Sequence, residues 1–268
     1  MTLRPSRNRF GRRCSPARHV RIVPRSCGRR TLGAVTTTLR TTAISAHRGA
    51  SAEHPENTLA AFEAALRHGT DGIELDVSLS ADGVPVVMHD PTVDRTTDGT
   101  GAVADLPLAV LRALDTGAGP VPTLDEVLGL AAGHAEVNVE LKTPVAAWPA
   151  LAVAARHPDL TWFASAADWA ALRNLRALDP DVRLYPLSMA VTDAALAFAD
   201  EIAAEGLSLC ETGLTAPDLV RVRAAGLSSW VWTVNDRARA AALTDYGVDT
   251  LCTDDPAGLL GLLTTSSR

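Results

Sequence analysis

Short apolar runs alternate with longer amphipathic segments along most of this chain. The runs are Ala43–Ala46, Gly72–Val77, Val137–Leu141, Thr161–Ala164, Arg183–Leu187, Leu207–Cys210, Trp230–Val234 and Thr250–Thr253, each of strand length. Between them, apolar positions recur at helical spacing in Thr58–His68, Leu124–Ala132, Trp169–Leu178, Asp193–Ala204, Pro217–Ala225 and Arg237–Tyr246. Thr123, with Glu126 three residues on, predicts a capping box, and Thr215 and Asp236 are placed to cap their helices. Gly69, Gly133, Gly206, Gly226 and Gly247 punctuate the helix ends. Eight run-then-helix units predict a (β/α)8 TIM barrel over residues 44–264. A doubly wound open sheet is the alternative, weakened because no glycine-rich phosphate loop follows the first run.

One segment breaks the alternation. Val77–Leu79 and Val84–Met88 flank Ser80-Ala81-Asp82-Gly83, and Asp-Gly between apolar runs predicts a hairpin. A turn centred between Asp82 and Gly83 places His89 opposite Asp76 and returns it to the barrel mouth. Residues 91–122, rich in Asp, Thr and Gly, then form a long loop inserted after the second strand, with one short helix at Pro107–Leu114. Loops of that length in a compact domain tend to carry function.

Composition divides the chain in two. Of its 268 residues 47% are hydrophobic, enough for one large core. The formal net charge of −6 hides an asymmetry: residues 1–43 carry eleven arginines and no acid, while the remainder carries fourteen basic and thirty-one acidic residues. An acidic body argues against a nucleic-acid platform and is compatible with bound cations. The basic tail, 1–43, is dominated by Pro, Ser, Gly and Arg and is expected to be disordered. Arg29-Arg30 resembles a twin-arginine signal, but no apolar core follows it, so a cytoplasmic location and a true start near Val35 are expected. The longest uncharged stretch, Thr143–Ala155, is too short to span a bilayer, and no stable membrane insertion is expected. The four cysteines show no metal spacing and read as reduced thiols.

The candidate chemistry lies where the runs end, which in such barrels is the catalytic rim. His47-Arg48 follow the first run, Glu74 and Asp76 end the second, His89-Asp90 follow the hairpin, and Glu140 and Lys142 close the third. Lys142 is the only lysine beside twenty-four arginines, which points to an interior role that a guanidinium cannot fill. Residues at i and i+2 of a strand share a face, so Glu74 with Asp76, and Glu140 with Lys142, point the same way. Three carboxylates crowded at one end must bind protons or a cation, and oxygen-only ligands favour Mg²⁺ or Ca²⁺ over zinc. The alternative leaves one carboxylate in solvent and pairs another with Arg48 or Lys142. His47 and His89 fit an acid–base pair, and Arg48 with Lys142 offers two cationic donors to a phosphate or phosphodiester. His68, His134 and His157 lie at helix ends or just after them and read as structural.

The ordered set Ala46-His47-Arg48-Gly49, Pro55-Glu56-Asn57-Thr58, Glu74-Leu75-Asp76-Val77, Val86-Val87-Met88-His89-Asp90, Arg95-Thr96-Thr97-Asp98-Gly99-Thr100-Gly101, Pro122-Thr123-Leu124, Glu140-Leu141-Lys142 and Trp232-Thr233-Val234-Asn235 resembles the glycerophosphodiester phosphodiesterases. The resemblance runs from about residue 44 to residue 260 and implies a barrel hydrolase that cleaves glycerophosphodiesters to sn-glycerol 3-phosphate and an alcohol. It implies His47 and His89 as general acid and base, and Glu74, Asp76 and Glu140 as ligands of a divalent metal, Mg²⁺ or Ca²⁺. Arg48 and Lys142 would hold the phosphoryl oxygens, Trp232 matches a family tryptophan near the site, and the glycerol 2-hydroxyl would attack to give a cyclic phosphate. The family's Ser-Phe after the next strand is here Ser165-Ala166-Ala167, and the short 91–122 insertion leaves no room for a large capping subdomain. The same site would also suit a lysophospholipid or sphingolipid head-group phosphodiesterase, or a catalytically silent phosphodiester-binding barrel.

Overall fold

The computed structural model describes residues 42–265. All but the last two residues of the expected tail, and with them the expected start near Val35, lie outside the described residues. The strands are β1 (Ala43–His47), β2 (Gly72–Leu79), β3 (Pro85–Val87), β4 (Glu136–Leu141), β5 (Thr161–Ala166), β6 (Leu184–Ser188), β7 (Gly206–Cys210), β8 (Ser228–Trp232) and β9 (Thr250–Thr253). All except β3 run parallel, and β1 pairs with both β2 and β9, which closes the sheet into the expected (β/α)8 barrel. Closure excludes the open doubly wound sheet.

The helices follow the apolar periodicity. They are α1 (Leu59–His68), α2 (Leu108–Leu111), α3 (Leu124–Ala131), α4 (Ala147–Ala154), α5 (Trp169–Leu178), α6 (Asp193–Glu201), α7 (Ala216–Ala224), α8 (Arg237–Asp245) and α9 (Pro256–Thr265). Thr123 and Glu126 form the expected capping box, Thr215 forms one with Asp218, and the Asp236 carboxylate accepts from the Arg239 amide at 2.7 Å. The sequence pattern announces neither α4 nor α9, because the uncharged runs 143–155 and 256–265 have no charged face to set against an apolar one. None of the described helices is long and apolar enough to cross a membrane.

Strand alternation sorts the side chains. On β2, Ile73, Leu75 and Val77 pack outward against Phe62, Leu124 and Leu128 in the layer between barrel and helices. Gly72, Glu74 and Asp76 therefore face the lumen. Lower in the lumen Phe163, Tyr185, Trp230 and Cys252 form a closed plug, with Phe163 4.1 Å from Tyr185 and 4.8 Å from Trp230 between ring centroids. Small residues make room for it. A Cβ on Gly206 would come 2.2 Å from the Tyr185 ring and 2.7 Å from the Ser228 carbonyl.

The hairpin forms, but in a different register. Val77 pairs with Val87 and Leu79 with Pro85, and the Met88 amide donates to the Asp76 carbonyl at 2.9 Å, so Met88 rather than His89 stands opposite Asp76. Gly83, at φ 77, adds a residue to the turn, and the Ser80 amide bonds the Val84 carbonyl at 3.0 Å. A three-residue loop ending in a left-handed glycine replaces the two-residue turn assumed from Asp-Gly. His89 lies past the end of the pairing, in the bend that leaves the sheet. The insertion 91–122 folds around a small core of its own, with Val86, Met88, Val93, Val103, Leu111 and Val121 buried together. Its helix, α2, is shorter than the predicted Pro107–Leu114.

Gly206→Ala should destabilise the barrel by about 1–3 kcal/mol, the usual cost of overpacking a filled interior. Urea denaturation would show a lowered midpoint with unchanged slope, and a midpoint equal to the parent's would contradict the packing.

Candidate active site

His47 ends β1, and Arg48 follows in the left-handed region at φ 56, a conformation that costs a non-glycine residue about 1 kcal/mol or more. That turn aims three donors. The Arg48 amide reaches Glu74 Oε2 at 3.0 Å, Nη1 reaches Glu56 at 2.8 Å, and Nε lies 3.2 Å from Asp76 Oδ2. Gly49, at φ 81, lets the turn press on α1, since a Cβ there would sit 2.6 Å from the Ala61 backbone. Asp76 is in register with Glu140 on β4, and ligand atoms of Glu74, Asp76 and Glu140 lie within 4.8 Å of one another. His47, Arg48, Glu74, His89, Glu140, Lys142 and Trp232 line one cavity of about 190 Å³, whose base includes Asn138, Trp230 and Cys252. Asp76 lies buried behind that lining, ion-paired with Lys142 and Arg48. The structure thus brings together all the residues singled out from the sequence.

Electrostatics divide the three acids. Burial, and then the neighbouring charge of Asp76, push the Glu74 carboxyl up to about 8. Burial also opposes the Asp76 charge, but Lys142 and Arg48 outweigh it and hold Asp76 below the usual range. Lys142 Nζ lies 2.7 Å from Asp76 Oδ1 and also bonds Glu140, so the pairing half of the alternative read from the sequence holds at Asp76, while none of the three acids is left in solvent. Burial opposes the lysine charge as well, yet Asp76 and Glu140 raise its pKa. A compact ammonium can reach two carboxylates on adjacent strands from one point.

The donor set fits a divalent cation. Glu74 Oε1 is buried with no hydrogen-bond partner, a costly state for a carboxylate oxygen unless something positive meets it. With Asp76 and Glu140 it offers oxygen only, the chemistry of Mg²⁺ or Ca²⁺.

Each candidate imidazole is oriented by a carboxylate. His47 Nδ1 lies 2.7 Å from Asp254 Oδ1, and His89 Nδ1 lies 2.7 Å from Asp90 Oδ1. Donation from Nδ1 leaves Nε2 as the position for proton transfer on each ring. At His47, burial opposes the charge, but the Asp254 hydrogen bond and the Glu74 charge prevail, and the pKa is raised. Asp254 is itself held by Ser51 at 2.9 Å and Asn235 at 2.6 Å. Sequence reasoning assigned no role to Asp254, although it directly follows the Thr250–Thr253 run, the position that flagged the others. It also passed over Asn57, whose amide donates to Asp76 Oδ2 at 2.7 Å.

Comparison with known proteins gives a consistent picture. The model of the glycerophosphoryl diester phosphodiesterase family matches residues 47–258. A glycerophosphodiester phosphodiesterase of Caldanaerobacter subterraneus subsp. tengcongensis is 34% identical over 83% of this chain and 98% of its own. One from Bacillus altitudinis is 32% identical over 80% of this chain and 95% of its own. Among solved structures, a phosphodiesterase of Oleispira antarctica, in complex with its product sn-glycerol 3-phosphate, superposes with a TM-score of 0.80 at 29% identity, covering 84% of this chain and 97% of that one.

A carboxyl whose folded pKa lies above its ordinary 4.5 stabilises the fold in its protonated form. That contribution is whole below about 4.5 and is lost as pH rises through about 8. Glu74→Gln should therefore melt above the parent at pH 9 in chelator, the two should converge near pH 5, and the variant should lose the Tm gain that Mg²⁺ or Ca²⁺ gives the parent. Parallel Tm–pH curves would contradict the buried, unbalanced carboxylate.

Proposed function

The chain belongs to the glycerophosphoryl diester phosphodiesterase family, and on that premise we propose that it hydrolyses glycerophosphodiesters to sn-glycerol 3-phosphate and an alcohol at the rim of β1, β2 and β4. The observation that carries the assignment to this site is the convergence of two carboxylate-oriented imidazoles and three acids on one cavity.

Glu74, Asp76 and Glu140 would hold the divalent ion, which when bound neutralises charge on the phosphoryl oxygens. Arg48 and Lys142 bind the same oxygens, and Trp232 walls the glycerol side of the cavity. His89 takes the proton of the glycerol 2-hydroxyl as its oxygen bonds to phosphorus. His47, whose charged form the Asp254 hydrogen bond favours, donates to the departing alcohol oxygen, so the phosphorus–oxygen bond breaks without leaving an alkoxide. The product of that step is a cyclic phosphate. Water then opens it with the proton roles exchanged, giving sn-glycerol 3-phosphate. No protein nucleophile is required. The buried free thiols of Cys210 and Cys252 support a cytoplasmic location.

One observation favours a second substrate class. Val145 and Trp148, just past Lys142 on the β4 side of the mouth, are 71% and 63% exposed. An acyl chain of a lysophospholipid could lie across them.

With Mg²⁺ or Ca²⁺ the protein should release glycerol 3-phosphate from glycerophosphocholine, and chelator should abolish turnover. His47→Ala and His89→Ala should each lower kcat about 100-fold or more, and parental kcat in either variant would overturn the acid–base assignment. Turnover of lysophosphatidylcholine above that of glycerophosphocholine, reduced by Trp148→Ala, would establish the second class.

A further inference from the structure

Arg95 and Glu56 have no part in the acid–base or cation chemistry above, yet they connect its two sides. Arg95 Nε donates to Asp90 Oδ2 at 2.6 Å and Nη2 donates to Asp90 Oδ1 at 3.0 Å. The same guanidinium donates from Nη1 and Nη2 to the two oxygens of Glu56, each at 2.8 Å. Glu56 accepts from Arg48, and Arg48 reaches Asp76. An unbroken line of charge-assisted contacts thus runs from the His89 imidazole, through Asp90, Arg95, Glu56 and Arg48, to Asp76.

Two features separate this line from an ordinary surface ion pair. First, the geometry is a fork on both sides: four of the five N–H donors of Arg95 are taken by carboxylate oxygens, which fixes the plane of Asp90 as well as its distance. Second, the platform is rigid. Thr97 bonds Val93 through both its amide and its hydroxyl, Thr96 bonds the Met88 sulfur, and Val93 and Met88 sit in the insertion's own core. Arg95 itself is 49% exposed, so its ion pairs should add little to global stability. With its charge balanced by two carboxylates and its donors occupied, it is poorly placed to bind substrate, although it borders an open cleft of about 650 Å³.

We propose that Arg95, braced by Glu56, is a positioning residue: it fixes Asp90, and through Asp90 the ring of His89, relative to the Arg48–Asp76 wall. The proposal rests on the acid–base role of His89 given above. It gives the insertion after β3 a task in the reaction, namely to present the second imidazole at a set angle.

The test compares the full-length parent with Arg95→Gln, Arg95→Lys and Glu56→Gln. With glycerophosphocholine and Mg²⁺, Arg95→Gln should lower kcat about 10- to 100-fold with KM little changed and Tm close to the parent's. Arg95→Lys should recover little, because an ammonium cannot form the fork. Adding Arg95→Gln to Asp90→Asn should cost nothing further, since both act through one ring. A raised KM at parental kcat would make Arg95 a substrate contact, and additive losses or parental kcat would equally overturn the proposal. A readout free of turnover separates this from the assignment of activity: nitrogen-detected NMR of the imidazoles in apoprotein should show a defined Nδ1–H tautomer at His89 that Arg95→Gln makes mixed, with His47 unchanged. An unaltered His89 tautomer in Arg95→Gln refutes the positioning role whether or not the parent turns over, whereas an inactive parent refutes only the assigned reaction.

Discussion

Three carboxylates share one end of a closed barrel, and most of what surrounds them answers the resulting repulsion. Glu74 and Asp76 are nearly inaccessible to solvent, and water cannot screen them. Arg48 is held in a left-handed turn that points amide and guanidinium inward, and Lys142 reaches between β2 and β4 to Asp76 and Glu140. Asn57, also left-handed at φ 57, gives its amide to Asp76. Even so, the balance is incomplete, because Glu74 keeps one oxygen unpartnered and a raised pKa. The fold carries an electrostatic deficit at the place where a cation and a phosphodiester would enter.

The two imidazoles draw their support from opposite directions along the chain. His47, at the end of β1, is set by Asp254 after β9, and strand pairing between β1 and β9 makes that contact local in space. His89 is set by its own neighbour Asp90, and that neighbour is set from the insertion. The barrel thus supports one ring and the insertion, which has a core of its own, supports the other.

Much of this was legible before any coordinates. The order of the strands, the helix caps and the common face of Glu74 and Asp76 followed from period and punctuation, because a strand's alternation fixes direction regardless of what packs around it. Boundaries did not always follow, since the run read at Trp230–Val234 is a strand at Ser228–Trp232, two residues earlier. Lys142 stood out by composition alone. The hairpin register did not follow, since Asp-Gly suits both a two-residue turn and a three-residue loop with a left-handed glycine, and the two differ by one residue in pairing. α4 was hidden because a helix without a polar face has no period to read. Asp254 was readable by position, but it needed the closing of β1 on β9 to acquire meaning. Arg95 stood in a motif but without a role, because its fork depends on where a folded loop sets it against Glu56, thirty-nine residues earlier.

The aromatic plug of Phe163, Tyr185 and Trp230 seals the lumen just beneath the acids. The cavity above it is consequently a blind well, closed at its floor and open at the rim. Everything admitted must retreat along its path of entry.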